Sequence, residues 1–286
     1  MEEKIFFIPK PYKMFVKCQT PDKIKFKYPL IFVHGGCHIG KEYEMTPDGR
    51  QGWTNYFLKK GFKAYILDWP GVGRSHTQKN FDKIGGMFVV NALIKLITKI
   101  GPCILFTHSM SGAYGWIVGE KIPQKVKAIV AIAPARPGNI QPEGKFNISF
   151  LKNLMKLKKE DVKRFWANSD QFPKEAFKQY YSSLVPYSLQ QLKEVLNIKK
   201  CQLKIKNIAN LKKIKILIVT GDQDPRHSKE IDGAIGSYFR KNRLSCDFYW
   251  LPDFGIKGNG HIMMLEKNNI KIAKLIKDWI YQLSTN

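Results

Sequence analysis

The sequence predicts an α/β fold: a mostly parallel central sheet with helices on both faces and a helical cap inserted between two of its strands. Three observations predict it. Strand-like and helix-like segments alternate through the first half of the chain. The strand segments are continuous apolar runs, as expected of strands covered on both faces. Between residues 135 and 210 the alternation stops and a series of helical patterns replaces it.

Taken in order, Lys4 to Ile8, Met14 to Lys17 and Ile24 to Lys27 read as short β segments divided by Pro9, Pro11 and Pro21, the pattern of an antiparallel sheet edge. Tyr28 to His34 (YPLIFVH) is an apolar strand that ends in His34-Gly35-Gly36-Cys37-His38. Trp53, Tyr56, Phe57 and Leu58 sit at helical spacing and stop at Gly61; Phe62 to Leu67 is the next strand. The glycine-rich turn Asp68 to Ser75 follows. It lacks the Gly-Lys-Ser/Thr end and the G-x-G-x-x-G spacing of phosphate loops, so Arg74 and Ser75 are expected to pin neighbouring loops. Met87 to Ile100 is periodic and helical until Gly101-Pro102 breaks it.

Cys103 to Phe106 then forms a strand, Thr107 to Gly112 a tight turn, and Ala113 to Glu120 a helix; Val126 to Ala133 is a strand cut by Pro134. Alternation of this kind is the signature of a parallel sheet wound on both faces. Residues 135–210 bring Pro137, Gly138, Pro142 and Gly144, then helical patterns rich in aromatics, Phe165, Trp166, Phe172, Phe177, Tyr180 and Tyr181. The expected division is a core of residues 1–134 and 211–286, with 135–210 as a cap over the C-terminal sheet edge, where open α/β sheets bind ligands. A docked helical subdomain without a lid role is the alternative. Ile214 to Thr220 resumes the sheet, followed by the turn Gly221 to Pro225, a helix over Ser228 to Lys241, the strand Cys246 to Leu251 and a final helix from about Lys267 to Leu283.

A chain of 286 residues is long enough to bury one large core, and 44% hydrophobic residues exclude a disordered class. The net charge of +25 points to a polyanionic partner, but the lysines are scattered along the chain and read as a solvated surface. No specific nucleic-acid partner is expected. The densest basic stretch, Leu151 to Arg164 (LKNLMKLKKEDVKR), reads as one amphipathic helix with a solvated face. Cys18, Cys37, Cys103, Cys201 and Cys246 have no pairing motif and an odd count, which makes a reducing compartment the default. The start, MEEKIFFIPKPYK, lacks the charge and apolar pattern of an export signal, and no run approaches membrane-spanning length. A cytoplasmic protein with no transmembrane segment is therefore expected. No residue cluster has metal-ligand spacing, and no cofactor is expected.

Chemistry concentrates at Thr107-His108-Ser109-Met110-Ser111. This is a small-x-Ser-x-small variant of the G-x-S-x-G elbow, in which Thr107 and Ser111 replace the usual glycines. A serine on so sharp a strand-to-helix turn projects its Oγ, with the helix N-terminus and the Met110 N–H placed to stabilise an oxyanion. Such a serine needs a base, and the base needs a carboxylate to set its tautomer. Asp224 and His261 each follow a predicted strand, so Ser109, Asp224 and His261 converge along one sheet edge in the order nucleophile, acid, base. Asp222 is the competing acid, with capping of its own turn as its other role. A second oxyanion N–H is expected from Gly36 or Cys37, in a loop whose glycines let the backbone approach a reacting carbonyl. Cys37 beside His38 is an alternative nucleophile, though with no supporting acid evident. His108 reads as support for the elbow, and His76 and His227 as surface residues.

These residues together resemble the α/β-hydrolase superfamily: the His34-Gly35-Gly36 loop, the Asp68 to Ser75 turn, the Ser109 elbow, Asp224 after the penultimate strand and His261 before the last helix. A narrower likeness lies in Thr46-Pro47-Asp48-Gly49-Arg50-Gln51-Gly52-Trp53 with Tyr56-Phe57, which is similar to a branch of microbial esterases carrying TPDGR-x-GW-x-x-YF. That branch implies a glutamate acid in some members, after the strand that follows the elbow helix. Here that strand ends Ile132-Ala133-Pro134-Ala135, and Glu143 is the nearest glutamate, a second choice behind Asp224. The resemblance implies a serine hydrolase that cleaves a small, mainly apolar carboxylic ester through an acyl-enzyme. An acyltransferase with the same triad, or a non-catalytic ligand receptor, is the alternative.

Overall fold

In the computed structural model, which describes residues 1–283, eight strands make one sheet. They are β1 (Glu2–Ile8), β2 (Met14–Thr20), β3 (Leu30–Val33), β4 (Ala64–Leu67), β5 (Cys103–His108), β6 (Val126–Ile132), β7 (Lys215–Thr220) and β8 (Cys246–Trp250). Their order is β1-β2-β4-β3-β5-β6-β7-β8. β1 and β2 pair antiparallel, β2 joins β4 antiparallel, and every later pairing is parallel. The expected third N-terminal strand, Ile24 to Lys27, is absent. Both edges of β2 are taken by β1 and β4, and Phe26 instead stacks on Phe62 with ring centroids 3.8 Å apart.

The central strands bury both faces, which explains their continuous apolar sequences. Alternate residues divide between two cores, as the two-residue strand period requires. Ile31, Val33, Leu105, Ile129, Ile216 and Ile218 face α2 (Gly86–Ile100), α3 (Ser111–Lys121) and α8 (Lys229–Lys241). Leu30, Phe32, Phe106, Val130, Leu217 and Val219 face α1 (Trp53–Lys59) and α9 (Asn269–Gln282). In α2 the buried residues Val89, Val90, Leu93, Leu96 and Ile97 recur at helical spacing and form its inner stripe.

Residues 135–210 add no strand. They hold α4 (Ile148–Leu154), α5 (Lys159–Phe165), α6 (Phe177–Ser183) and α7 (Leu189–Val195). The single helix expected over Leu151 to Arg164 is two: the chain turns between α4 and α5, with Leu157 at φ 47°. Its apolar residues serve two surfaces, Leu151 being buried at the base of α4 and Val162 in α5. Against the core, Ser188 and Gln191 form a capping box at the start of α7, and Glu194 accepts from the Gly86 N–H at 2.6 Å. Among the described residues, no helix is long and apolar enough to cross a membrane.

Candidate active site

Ser109 sits between the end of β5 and the start of α3 with φ 52°, a left-handed conformation that costs a non-glycine residue on the order of 1 kcal/mol or more. The neighbouring strand holds it there. Its N–H donates to Ile132 O at 3.0 Å, and its carbonyl accepts from Ala135 N–H at 2.8 Å and Gly112 N–H at 2.9 Å. Tight packing explains the small residues around it. A Cβ on Gly112 would lie 2.5 Å from Cβ of Pro134, and one on Gly35 would lie 2.7 Å from Nδ1 of His108.

Ser111 does more than stay small. Its hydroxyl accepts from the His108 N–H at 2.8 Å and lies 3.0 Å from Val33 O, stitching the elbow to β3.

The structure brings the three predicted residues together. Ser109 Oγ lies 2.9 Å from His261 Nε2, and His261 Nδ1 lies 2.5 Å from Asp224 Oδ2. Burial pushes the Asp224 carboxyl up, but the His261 and His227 rings outweigh it and hold it well below the usual carboxylate range. An ionised Asp224 accepts only, so Nδ1 of His261 carries the proton and Nε2 is free to accept from Ser109. Burial also holds His261 well below its ordinary value, with Asp224 opposing. Neither Asp222 nor Glu143 meets His261. Asp222 accepts from the Gly258 and Asn259 N–H groups at 2.9 and 3.0 Å and so shapes the histidine loop, while Glu143 stands 3.9 Å from Lys200.

Further carboxylates and carbonyls fix that loop. Glu266 is fully buried and accepts from Ser169 Oγ, Gly260 N–H and Asn259 Nδ2, and burial raises it to about 7. His108 Nε2 donates to the carbonyl of His261 at 2.9 Å, which is the elbow support expected of it. Arg50, from the Thr46 to Trp53 stretch, bonds Asp48 at 2.6 Å and the carbonyls of Glu266 and Leu265 at 2.9 and 3.1 Å. Trp53 Nε1 donates to Asn269 O at 2.9 Å. That stretch therefore clamps the segment running from His261 into α9.

Opposite the elbow, the loop after β3 presents Gly36 and Cys37, the latter at φ 64°. Among the described residues, no group accepts from the N–H of Gly36, Cys37 or Met110. His38 is occupied elsewhere: Nδ1 lies 2.7 Å from Gly36 O and Nε2 2.9 Å from the Tyr180 hydroxyl. Burial pushes the Cys37 thiol well up, and no base contacts it. The turn after β4 pins its neighbours as expected: Arg74, held by Asp68 at 2.8 Å, reaches Glu44 at 3.2 Å, and Ser75 Oγ accepts from the Phe15 N–H at 2.8 Å.

His227 corrects the sequence expectation. It is not a surface residue: its side chain is only 14% exposed, Nδ1 lies 2.9 Å from Asp232, and its ring centroid lies 5.1 Å from that of His261. Nothing in its local sequence distinguishes it from an exposed turn residue such as His76, which is exposed. Ser109 opens on a pocket of about 300 Å³ beside Gly36, Cys37 and Met110, with His227 also in its lining. Leu157, Val162, Phe165 and Trp166 make much of its opposite wall.

The family model for the α/β-hydrolase fold matches residues 28–229, and the chain belongs to this family. A fungal protein named "Probable secreted lipase phiG" (Fungal sp., strain ATCC 74256) is 26% identical, over 94% of this chain and 86% of its own. A solved bacterial esterase superimposes with a TM-score of 0.62 at 23% identity, covering 94% of this chain and 85% of that one. A thermophilic esterase from Thermogutta terrifontis gives 0.66 at 13% identity, over 99% of both chains. These structural likenesses bear on the fold alone.

Proposed function

We propose that the protein is a carboxylesterase-like serine hydrolase that works through an acyl-enzyme intermediate. The observation that carries this reading is the continuous relay Ser109–His261–Asp224, whose serine opens on a largely apolar pocket. Ser109 Oγ attacks the ester carbonyl while His261 Nε2 takes its proton; Asp224 fixes the tautomer and stabilises the imidazolium. The developing oxyanion takes the free N–H of Met110 and that of Gly36 or Cys37, near the positive end of α3. His261 then protonates the departing alcohol, and a water deprotonated by the same ring releases the acid. Residues 135–210 act as a cap whose apolar side chains form the wall of the pocket. The relatives named lipase and esterase support ester cleavage in general. Five unpaired cysteines, four of them buried, favour a reducing compartment such as the cytoplasm.

Steady-state turnover of p-nitrophenyl esters of increasing acyl length tests the proposal. Hydrolysis that peaks at a short or medium chain and is lost in Ser109→Ala supports it. Turnover that survives Ser109→Ala contradicts it.

A further inference from the structure

Two cations stand in the pocket wall with nothing to bind. Arg136 and Arg226 both line the pocket that Ser109 enters, Arg136 also bordering a second pocket beside α8, and neither side chain has a hydrogen-bond or ion-pair acceptor among the described residues. Arg226 lies in the turn after β7 that carries Asp224, and its backbone N–H donates to Asp224 Oδ1 at 3.0 Å. Its guanidinium lies 5.6 and 5.8 Å from the ring centroids of Phe165 and Trp166, so the aromatic wall holds it over the cavity. Arg136 lies in the loop after β6, next to Ala135, whose N–H binds the Ser109 carbonyl. Both cations therefore ride on the loops that fix the relay.

The other charged groups of the pocket differ. Asp232 is bound by His227 and by Thr220 Oγ1 at 2.7 Å. Asp161, in the first turn of α5, is the one unpartnered carboxylate among the lining residues, set against two guanidinium groups. Arg226 is exposed to solvent beside the aromatic wall, so its charge is open to an anionic ligand.

We propose that the site selects esters whose acyl or alcohol part ends in an anionic group, a carboxylate or phosphate, gripped by Arg226 and Arg136 while the carbonyl rests at Ser109. Planar guanidinium forks match both oxyanions bidentately, which a lysine cannot do. This proposal rests on the hydrolase reading and narrows its substrate class.

Two matched pairs of substrates test it. Mono-p-nitrophenyl adipate against p-nitrophenyl hexanoate places the charge on the acyl side. A monoacylglycerol phosphate against the monoacylglycerol of equal chain length places it on the alcohol side. The expected result is a kcat/KM higher by on the order of tenfold for the anionic member of at least one pair. Which pair responds tells where the anion sits and of which kind it is. The ratio should fall toward one in Arg226→Gln and Arg136→Gln, with partial recovery in Arg226→Lys. Equal or faster turnover of the neutral member in both pairs, or a ratio untouched by both substitutions, overturns the anion proposal and leaves the hydrolase reading standing. A wild-type protein that turns over none of the four esters and takes no fluorophosphonate at Ser109 overturns both.

Discussion

The Tyr180 hydroxyl of α6 lies 2.9 Å from Nε2 of His38, whose Nδ1 donates to the Gly36 carbonyl at 2.7 Å. A second bond runs the same way, from Val185 N–H to the Cys37 carbonyl at 2.9 Å. The 135–210 segment is thereby tied to the loop of the proposed oxyanion donors. Because Gly36 C=O and Cys37 N–H share one peptide plane, holding the carbonyl aims the N–H. Tyr180→Phe removes the first of these bonds and leaves a buried ring nitrogen without its donor. We expect kcat to fall on the order of tenfold with a smaller change in KM, read from steady-state kinetics, since a misaimed donor weakens the transition state more than the ground state. An unchanged kcat would separate the cap from the oxyanion loop.

The pH profile follows from His261. Its neutral form is the base, and burial holds the ring well below 6.5. Above that lowered value the base is ready, so kcat/KM for an uncharged ester should already be on its plateau at pH 6.5 and decline only in more acidic solution. An acidic limb centred at or above 6.5 contradicts this environment for the histidine.

Substitution separates the candidate acids. Asp224→Asn leaves the geometry but loses the charge that sets the His261 tautomer, and kcat should drop roughly a thousandfold or more. Glu143→Gln, whose carboxylate pairs with Lys200 and makes no contact with the relay among the described residues, should leave kcat unchanged. The reverse pattern would transfer the role to Glu143.

Beneath the relay, Glu42 is buried 3.6 Å from His108 Nδ1 and 4.0 Å from His38 Nδ1, without a conventional hydrogen bond. Burial raises its carboxyl, but His38 and His108 outweigh it and leave it lowered. A folded value below the unfolded one gives stability that is full above about 4.5 and lost as pH falls through the folded value. Glu42→Ala should therefore lower stability at neutral pH, on the order of 1 kcal/mol by denaturant unfolding, with the deficit shrinking under acid. A deficit independent of pH would assign the loss to packing alone.

Much of this was legible in the sequence because each signal was local. Continuous apolar runs mark β3 to β7, and Ser109, Asp224 and His261 each follow a strand, so their convergence is a consequence of sheet order. What escaped depends on partners distant in the chain. Ile24 to Lys27 has strand composition, but β2 has no free edge for it. His227 reads as a turn residue until α8 sets Asp232 against it. The clamp of Arg50 and Trp53 on residues 265–269 spans over two hundred positions, so the Thr46 to Trp53 pattern was visible while its work was not. Ser111 was read as small, but its hydroxyl ties β3 to the elbow.

The most direct test is covalent. Wild-type protein treated with a fluorophosphonate probe, digested and mapped by mass spectrometry should carry the adduct on Ser109, and His261→Ala should suppress the labelling. An adduct on another residue, on Cys37 above all, or labelling at Ser109 that persists at full rate without His261, would contradict the relay on which the account stands.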